Sequence, residues 1–150
     1  MTIKDRKRLK VFIPTAGTGS RLNHLTSNLN KCLIEIGHKP AISYIIENFP
    51  ENTEFVIALG FDSQKVKDFL KLTYPKKTFY FSYVDNFSGL KSSLGYTMKC
   101  SRKYLQSPFF FCACDSIFSN KINKQTKNWI GYSKVVDNKN YRKLSFSNKL

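Results

Sequence analysis

Short apolar runs closed by glycine, proline or polar clusters alternate along this chain with stretches whose apolar residues recur every third or fourth position. Residues 9–14 read as a buried strand that runs straight into Thr15-Ala16-Gly17-Thr18-Gly19-Ser20-Arg21-Leu22, a turn whose glycines permit close backbone approach. A second strand-like run covers 32–36 and is broken by Gly37-His38-Lys39-Pro40, where Pro40 suits the first turn of a helix. In that helix Ile42, Ile45, Ile46 and Phe49 fall on one face. A strand over 54–60 follows. Asp62 or Ser63 can then cap a helix whose inner stripe is Val66, Phe69 and Leu70, with Leu72 as a further candidate. Residues 78–84 form another strand, 94–104 a helix, and 108–114 a strand that delivers Asp115 at its end.

This alternation predicts an α/β fold, a three-layer Rossmann-like arrangement around a mainly parallel sheet, with ligands bound beyond the carboxyl ends of the strands. Gly17 and Asp115 both fall at such ends. After residue 120 comes a Lys- and Asn-rich linker, then two strand-like segments, 129–136 and 141–146, joined by a turn over 137–140. No internal repeat is visible. A chain of 150 residues suits one domain with its own core.

Composition and charge narrow the function classes. Apolar residues make up 41% and aromatics 15%, which excludes a disordered basic tail. The net charge of +15 invites an anionic partner, but residues 1–10 carry +4, residues 120–150 carry +7, and the long middle only +4. Residues 1–8 therefore read as a basic N-terminal extension. No stretch is long and apolar enough for a membrane span, and the basic start lacks a signal-type apolar core, so the expected location is cytoplasmic. Cys32, Cys100, Cys112 and Cys114 show no paired metal-ligand spacing, and Cys112 with Cys114, in an apolar run, read as small hydrophobes.

Chemistry concentrates in four places. The loop 16–22 lacks the Gly-Lys-Ser/Thr ending of a P-loop and the third glycine of a dinucleotide fingerprint. It retains backbone N–H groups from Gly17 to Ser20 that can point at phosphate oxygens, and the donor fork of Arg21. Taken alone it could equally be a turn with a surface arginine. Lys31 follows, in Leu29-Asn30-Lys31-Cys32-Leu33, then Lys39-Pro40-Ala41-Ile42. Asp115, in Cys114-Asp115-Ser116, is by itself an ordinary turn or cap residue. Ser92, Ser93 and Gly95 open the helix after the strand 78–84, where a serine cap leaves N–H groups that suit an anion.

Three of these motifs in this order resemble the nucleotidyltransferase family that activates sugar-1-phosphates and small phosphorylated alcohols, including the guanylyl-, uridylyl- and cytidylyltransferases. The family signature runs Ala-Gly-x-Gly-Ser/Thr-Arg-Leu/Met, then Pro-Lys-x-Leu, then Lys-Pro-x-Ile, and this chain departs from it only at Asn30, in place of proline. The resemblance implies a fold of the nucleotide-diphospho-sugar transferase type. It also implies transfer of a nucleoside monophosphate from a nucleoside triphosphate, CTP or UTP favoured, to a phosphorylated small acceptor, with release of pyrophosphate. The setting implied is precursor supply for a surface polysaccharide.

In that reading Ala16, Gly17, Thr18, Gly19 and Ser20 cradle the triphosphate, and Arg21 and Lys31 act on the phosphates. Asp115 ligates Mg2+, and Ser92, Ser93 and Gly95 lie near the base. Lys91 and Ser93 stand where the family often has glycine. Lys39 is expected to be structural. Family domains are longer, so residues 1–150 are expected to be a single such domain, incomplete at its C-terminal end. A catalytically weak nucleotide-binding remnant or partner subunit, and a basic nucleic-acid-binding module, stand as alternatives; the missing nucleic-acid motif weighs against the last.

Overall fold

The computed structural model describes residues 8–118, 121, 122, 130–132 and 134–136. Four strands form the main sheet: β1 (Lys10–Pro14), β4 (Glu54–Leu59), β5 (Thr78–Tyr83) and β6 (Phe110–Phe111). Between β1 and β4 lie a small hairpin, β2 (Glu35–Ile36) with β3 (Lys39–Pro40), and helix α1 (Ala41–Glu47). Helices α2 (Ser63–Thr73) and α3 (Leu94–Ser101) follow β4 and β5. The sheet order is β5-β4-β1-β6 and every pairing is parallel, with Phe12 opposite Val56 and Phe111, and Ile57 opposite Phe81.

Period-two alternation along the strands divides the core into two layers, because successive side chains leave opposite faces of a sheet. Val11, Ile13, Phe55, Ile57 and Leu59 pack with Ile42, Ile45, Ile46, Val66 and Leu70 of α1 and α2. Phe12, Val56 and Ala58 face the other way, against Tyr96, Met98 and Cys100 of α3. Helices thus cover both faces, and the strands read as near-continuous apolar runs for that reason. The three-layer expectation holds.

The differences from the sequence reading have local causes. Residues 32–36 are not one strand: the Asn30 carbonyl accepts from Leu33 N–H at 2.9 Å and its side chain from Cys32 N–H at 3.1 Å, which winds Lys31–Leu33 into a 3-10 turn. Only Glu35–Ile36 remains to pair, across the left-handed Gly37 (φ 69°). Leu72 is 81% exposed, since it lies off the stripe that Val66 and Leu70 bury. Asp62 precedes α2 in a left-handed conformation without a cap hydrogen bond, and pairs with Lys65 at 3.3 Å instead. The helix expected over 94–104 is α-helical to Ser101 and tightens to a 3-10 turn over Arg102–Tyr104.

Within 108–114 only Phe110–Phe111 pairs as a strand, extended by the bond from Cys112 N–H to the Phe12 carbonyl at 3.0 Å. The described part of 129–136 is assigned to no strand, and its Val136 is fully exposed. The turn 137–140 and the segment 141–146 lie outside the described residues, as do residues 1–7 of the basic extension.

Candidate functional site

The strand order reverses direction between β1 and β6: the chain runs outward from β1 through β4 to β5, then returns to place β6 on the other side. Such a reversal leaves a crevice beyond the carboxyl ends of the two strands, because the connections diverge to opposite faces. The glycine loop leaves β1 there, and Asp115 follows β6 there.

The root of the loop is held firmly. Thr15 donates twice to the Ala58 carbonyl, from N–H at 3.0 Å and from Oγ1 at 2.8 Å. Phe61 N–H donates to the Ala16 carbonyl at 2.9 Å. Gly60 makes this approach possible: a Cβ there would lie 2.6 Å from the Ala16 carbonyl oxygen. Beyond the root, Gly19 adopts φ 67°, and a Cβ on it would meet Lys31 Cβ and Thr26 Cγ2 at 3.0 Å. Its carbonyl accepts from Leu22 N–H and from Thr26 Oγ1, at 2.9 and 3.1 Å. Gly17 is different: a Cβ there would meet nothing within 4 Å. Among the described residues no group accepts from the N–H of Gly17, Thr18, Gly19 or Ser20. Open backbone donors at the end of a strand are what an anion needs.

Lys31 crosses the crevice. Its ammonium makes an ion pair with the Asp115 carboxylate, so residues 84 positions apart meet. The lysine side chain is 27% and the aspartate 51% exposed. A pair this wet contributes only about 0–1 kcal/mol, so either partner can be drawn to another charge at little cost. Cys114 lies beside the pair; burial pushes its thiol up to about 11, with the Asp115 charge adding to the shift and Lys31 opposing it.

The remaining predicted residues are placed otherwise. Arg21 is exposed in the 3-10 segment Ser20–Thr26 and makes no ion pair with any described residue. Ser93 caps α3, accepting from Tyr96 N–H at 3.0 Å, and Ser92 Oγ donates to the Gly89 carbonyl at 2.7 Å. Among the described residues no hydrogen bond joins Ser92, Ser93 or Gly95 to the glycine loop. The loop after β5 reaches that region through Phe87, whose Cβ would lie 2.8 Å from a Cβ on Gly60. The Tyr96 hydroxyl, from α3, donates to Asp85 of that loop at 2.7 Å, which holds the carboxyl below its ordinary range. Lys39 is turned onto α1, paired with Glu47 and lying 4.3 Å from the Tyr44 ring centroid.

Sequence reasoning missed two residues. Gly60 carries a signal only as the glycine that ends a strand. Asn30 is buried, and its amide donates to the carbonyls of Thr15 at 2.8 Å and Phe61 at 2.7 Å. A polar residue between two apolar strands gives no hint of such partners.

Among the described residues no group of three or more His, Cys, Asp or Glu side chains could form a metal cage. Among the described residues, the carboxylate that meets Lys31 at the crevice is the exposed Asp115. That fits Mg2+ held jointly with a phosphate ligand, since this ion keeps much of its water and takes one or two protein carboxylates.

No family model matches the sequence. Sequence relatives are found nonetheless. The chain is 28% identical over 147 residues to the bifunctional protein GlmU of Methanococcus vannielii, covering 95% of this chain and 34% of that protein. Over 68 residues it is 35% identical to the choline-phosphate cytidylyltransferase of Streptococcus pneumoniae, 44% of this chain and 29% of that one. In structure it superposes on the CTP:phosphocholine cytidylyltransferase of Streptococcus pneumoniae with a TM-score of 0.60 at 23% identity, covering 78% of this chain and 49% of that chain. Nucleotidyltransferases, cytidylyl- and guanylyltransferases by name, stand among the sequence relatives and structural neighbours of this chain. The fold is the Rossmann-like one of the nucleotide-diphospho-sugar transferases. The chain spans about a third of the length of the relatives it matches in sequence.

Proposed function

We propose that this chain binds a nucleoside triphosphate at the β1–β6 crevice and transfers its nucleoside monophosphate to a phosphorylated small molecule. The observation that supports this best is the meeting of Lys31, Asp115 and a glycine loop with open N–H groups at one switch point of the sheet. The N–H groups of Gly17 to Ser20 would hold phosphate oxygens, and Lys31 would leave Asp115 for the α-phosphate. Arg21, exposed at the loop's end, would neutralise the departing pyrophosphate. Asp115, released from Lys31, would hold Mg2+, which supplies charge neutralisation on the phosphates when bound.

An acceptor phosphate oxygen attacks the α-phosphorus, the bond to the β-phosphate breaks, and pyrophosphate leaves with the electron pair. Such transfer requires positioning and charge stabilisation more than a protein nucleophile, and this crevice is built of donors and cations. One sequence relative is a choline-phosphate cytidylyltransferase and one superposed structure a CTP:phosphocholine cytidylyltransferase. We therefore favour CTP, then UTP, with phosphocholine or a sugar-1-phosphate as acceptor. A role in surface-polysaccharide precursor supply follows from that acceptor class.

The test is pyrophosphate release by the 150-residue chain with Mg2+, each of the four nucleoside triphosphates, and a panel of phosphocholine and sugar-1-phosphates. The expected result is acceptor-dependent release, greatest with CTP or UTP, and at least about tenfold lower in Asp115→Ala. No release with any pair, despite triphosphate binding, would refute the transfer step.

A further inference from the structure

The family signature has proline before the lysine, and this chain has Asn30. The backbone there has φ −63°, the value a proline ring fixes, so the substitution leaves the path of the chain compatible with proline. What changes is the side chain. Asn30 is 1% exposed, and its amide uses both donor hydrogens, on the carbonyls of Thr15 at 2.8 Å and Phe61 at 2.7 Å. Its Oδ1 accepts from Cys32 N–H at 3.1 Å, inside the 3-10 turn that carries Lys31.

Those partners lie on three separate pieces of the crevice. Thr15 begins the glycine loop at the end of β1, Phe61 follows β4, and Cys32 adjoins Lys31. A buried amide with all three bonds satisfied is costly to displace, because any carbonyl it releases is left without a donor. Its hydrogen bonds engage the loop at its root and leave the N–H groups of Gly17 to Ser20 open.

We propose that Asn30 is a positioning residue, which clamps the root of the glycine loop to the loop after β4 and thereby fixes where Lys31 stands relative to the phosphate-binding N–H groups. The role rests on the reading of this crevice as a triphosphate site. It extends that reading by explaining the departure from proline, since proline would only stiffen the turn, whereas asparagine ties it to its neighbours.

Two variants separate the clamp from the turn. Asn30→Pro keeps the backbone angle and removes every side-chain bond. Asn30→Asp keeps the shape and the acceptor for Cys32 N–H, and removes the donors. Ser107→Ala serves as control, since Ser107 accepts from the Lys10 ammonium at 3.1 Å, at the amino end of β1 opposite the crevice. Hydrogen exchange by mass spectrometry and titration with Mg·CTP are read on each folded protein.

The expected result for both Asn30 variants is at least about tenfold faster exchange over 15–20 and 58–62, with β5 unchanged, and a dissociation constant for Mg·CTP raised at least about tenfold. Over 31–33, Asn30→Asp exchanges more slowly than Asn30→Pro. Ser107→Ala moves neither readout at the crevice. Unchanged loop exchange, or full affinity in a variant whose loop has loosened, would overturn the proposal. A wild type that binds no triphosphate, with variants that still loosen the loop, would refute the functional reading and leave Asn30 a purely structural clamp.

Discussion

Gly17 and Gly19 stand two positions apart and answer to different demands. Gly19 is required by the fold: its φ of 67° is one that L side chains rarely adopt, and Lys31 Cβ and Thr26 Cγ2 fill the space a Cβ would need. Gly17 has neither constraint, and open space surrounds the position. A glycine that the protein does not need for itself is one a ligand can need. Gly19→Ala is therefore expected to destabilise the chain by about 1–2 kcal/mol in urea denaturation. Gly17→Ala should leave stability unchanged or raise it by up to about 1 kcal/mol while weakening triphosphate binding. Equal stability losses in both variants, with affinity intact in Gly17→Ala, would contradict this division. The glycine pair was legible in the sequence because strand, loop and Arg21 are contiguous. Asn30 was not, because its amide partners Thr15 and Phe61 lie 15 and 31 positions away and are backbone carbonyls that any residue could supply.

The elements were legible where one periodicity ruled. Strands β1 and β4 are buried runs, β5 is a half-buried apolar run, and α1 and α2 carry their apolar residues on one stripe. Where a side chain bent the backbone, as Asn30 does over Lys31–Leu33, apolar content was mistaken for a strand. The edge element β6 pairs through few residues, yet it leads into the buried Cys112, whose thiol burial pushes up to about 12, helped by Cys114 and Asp115. The ordinary value is 9.0, so the thiol's stabilising contribution is complete below about pH 9 and is lost as pH rises toward the folded value. Melting temperatures of wild type and Cys112→Ala, measured from about pH 7 to 11, should accordingly converge above about pH 9. A gap that stays constant over that range would show that the thiol ionises as readily in the folded chain as in the unfolded one.

At the scale of the molecule, most of the excess charge and the crevice residues fall in different parts of the sequence. Of the net +15, eleven charges lie in residues 1–10 and 120–150, outside the stretch that carries the crevice. Among the described residues the Lys31–Asp115 pair stands at the crevice, and Arg21 is exposed in the segment after the glycine loop. No helix among the described residues is long and apolar enough to cross a membrane. Everything proposed for the crevice depends on these groups, with the glycine loop, holding a nucleoside triphosphate. The decisive measurement is calorimetric titration of the chain with Mg·CTP and Mg·UTP, beside Lys31→Ala. Hydrogen bonds to charged groups contribute about 1.5–3 kcal/mol, so the expected result is saturable binding in wild type and at least about a tenfold loss in Lys31→Ala. Absence of binding in wild type, or equal affinity in the variant, would contradict a triphosphate site at this crevice.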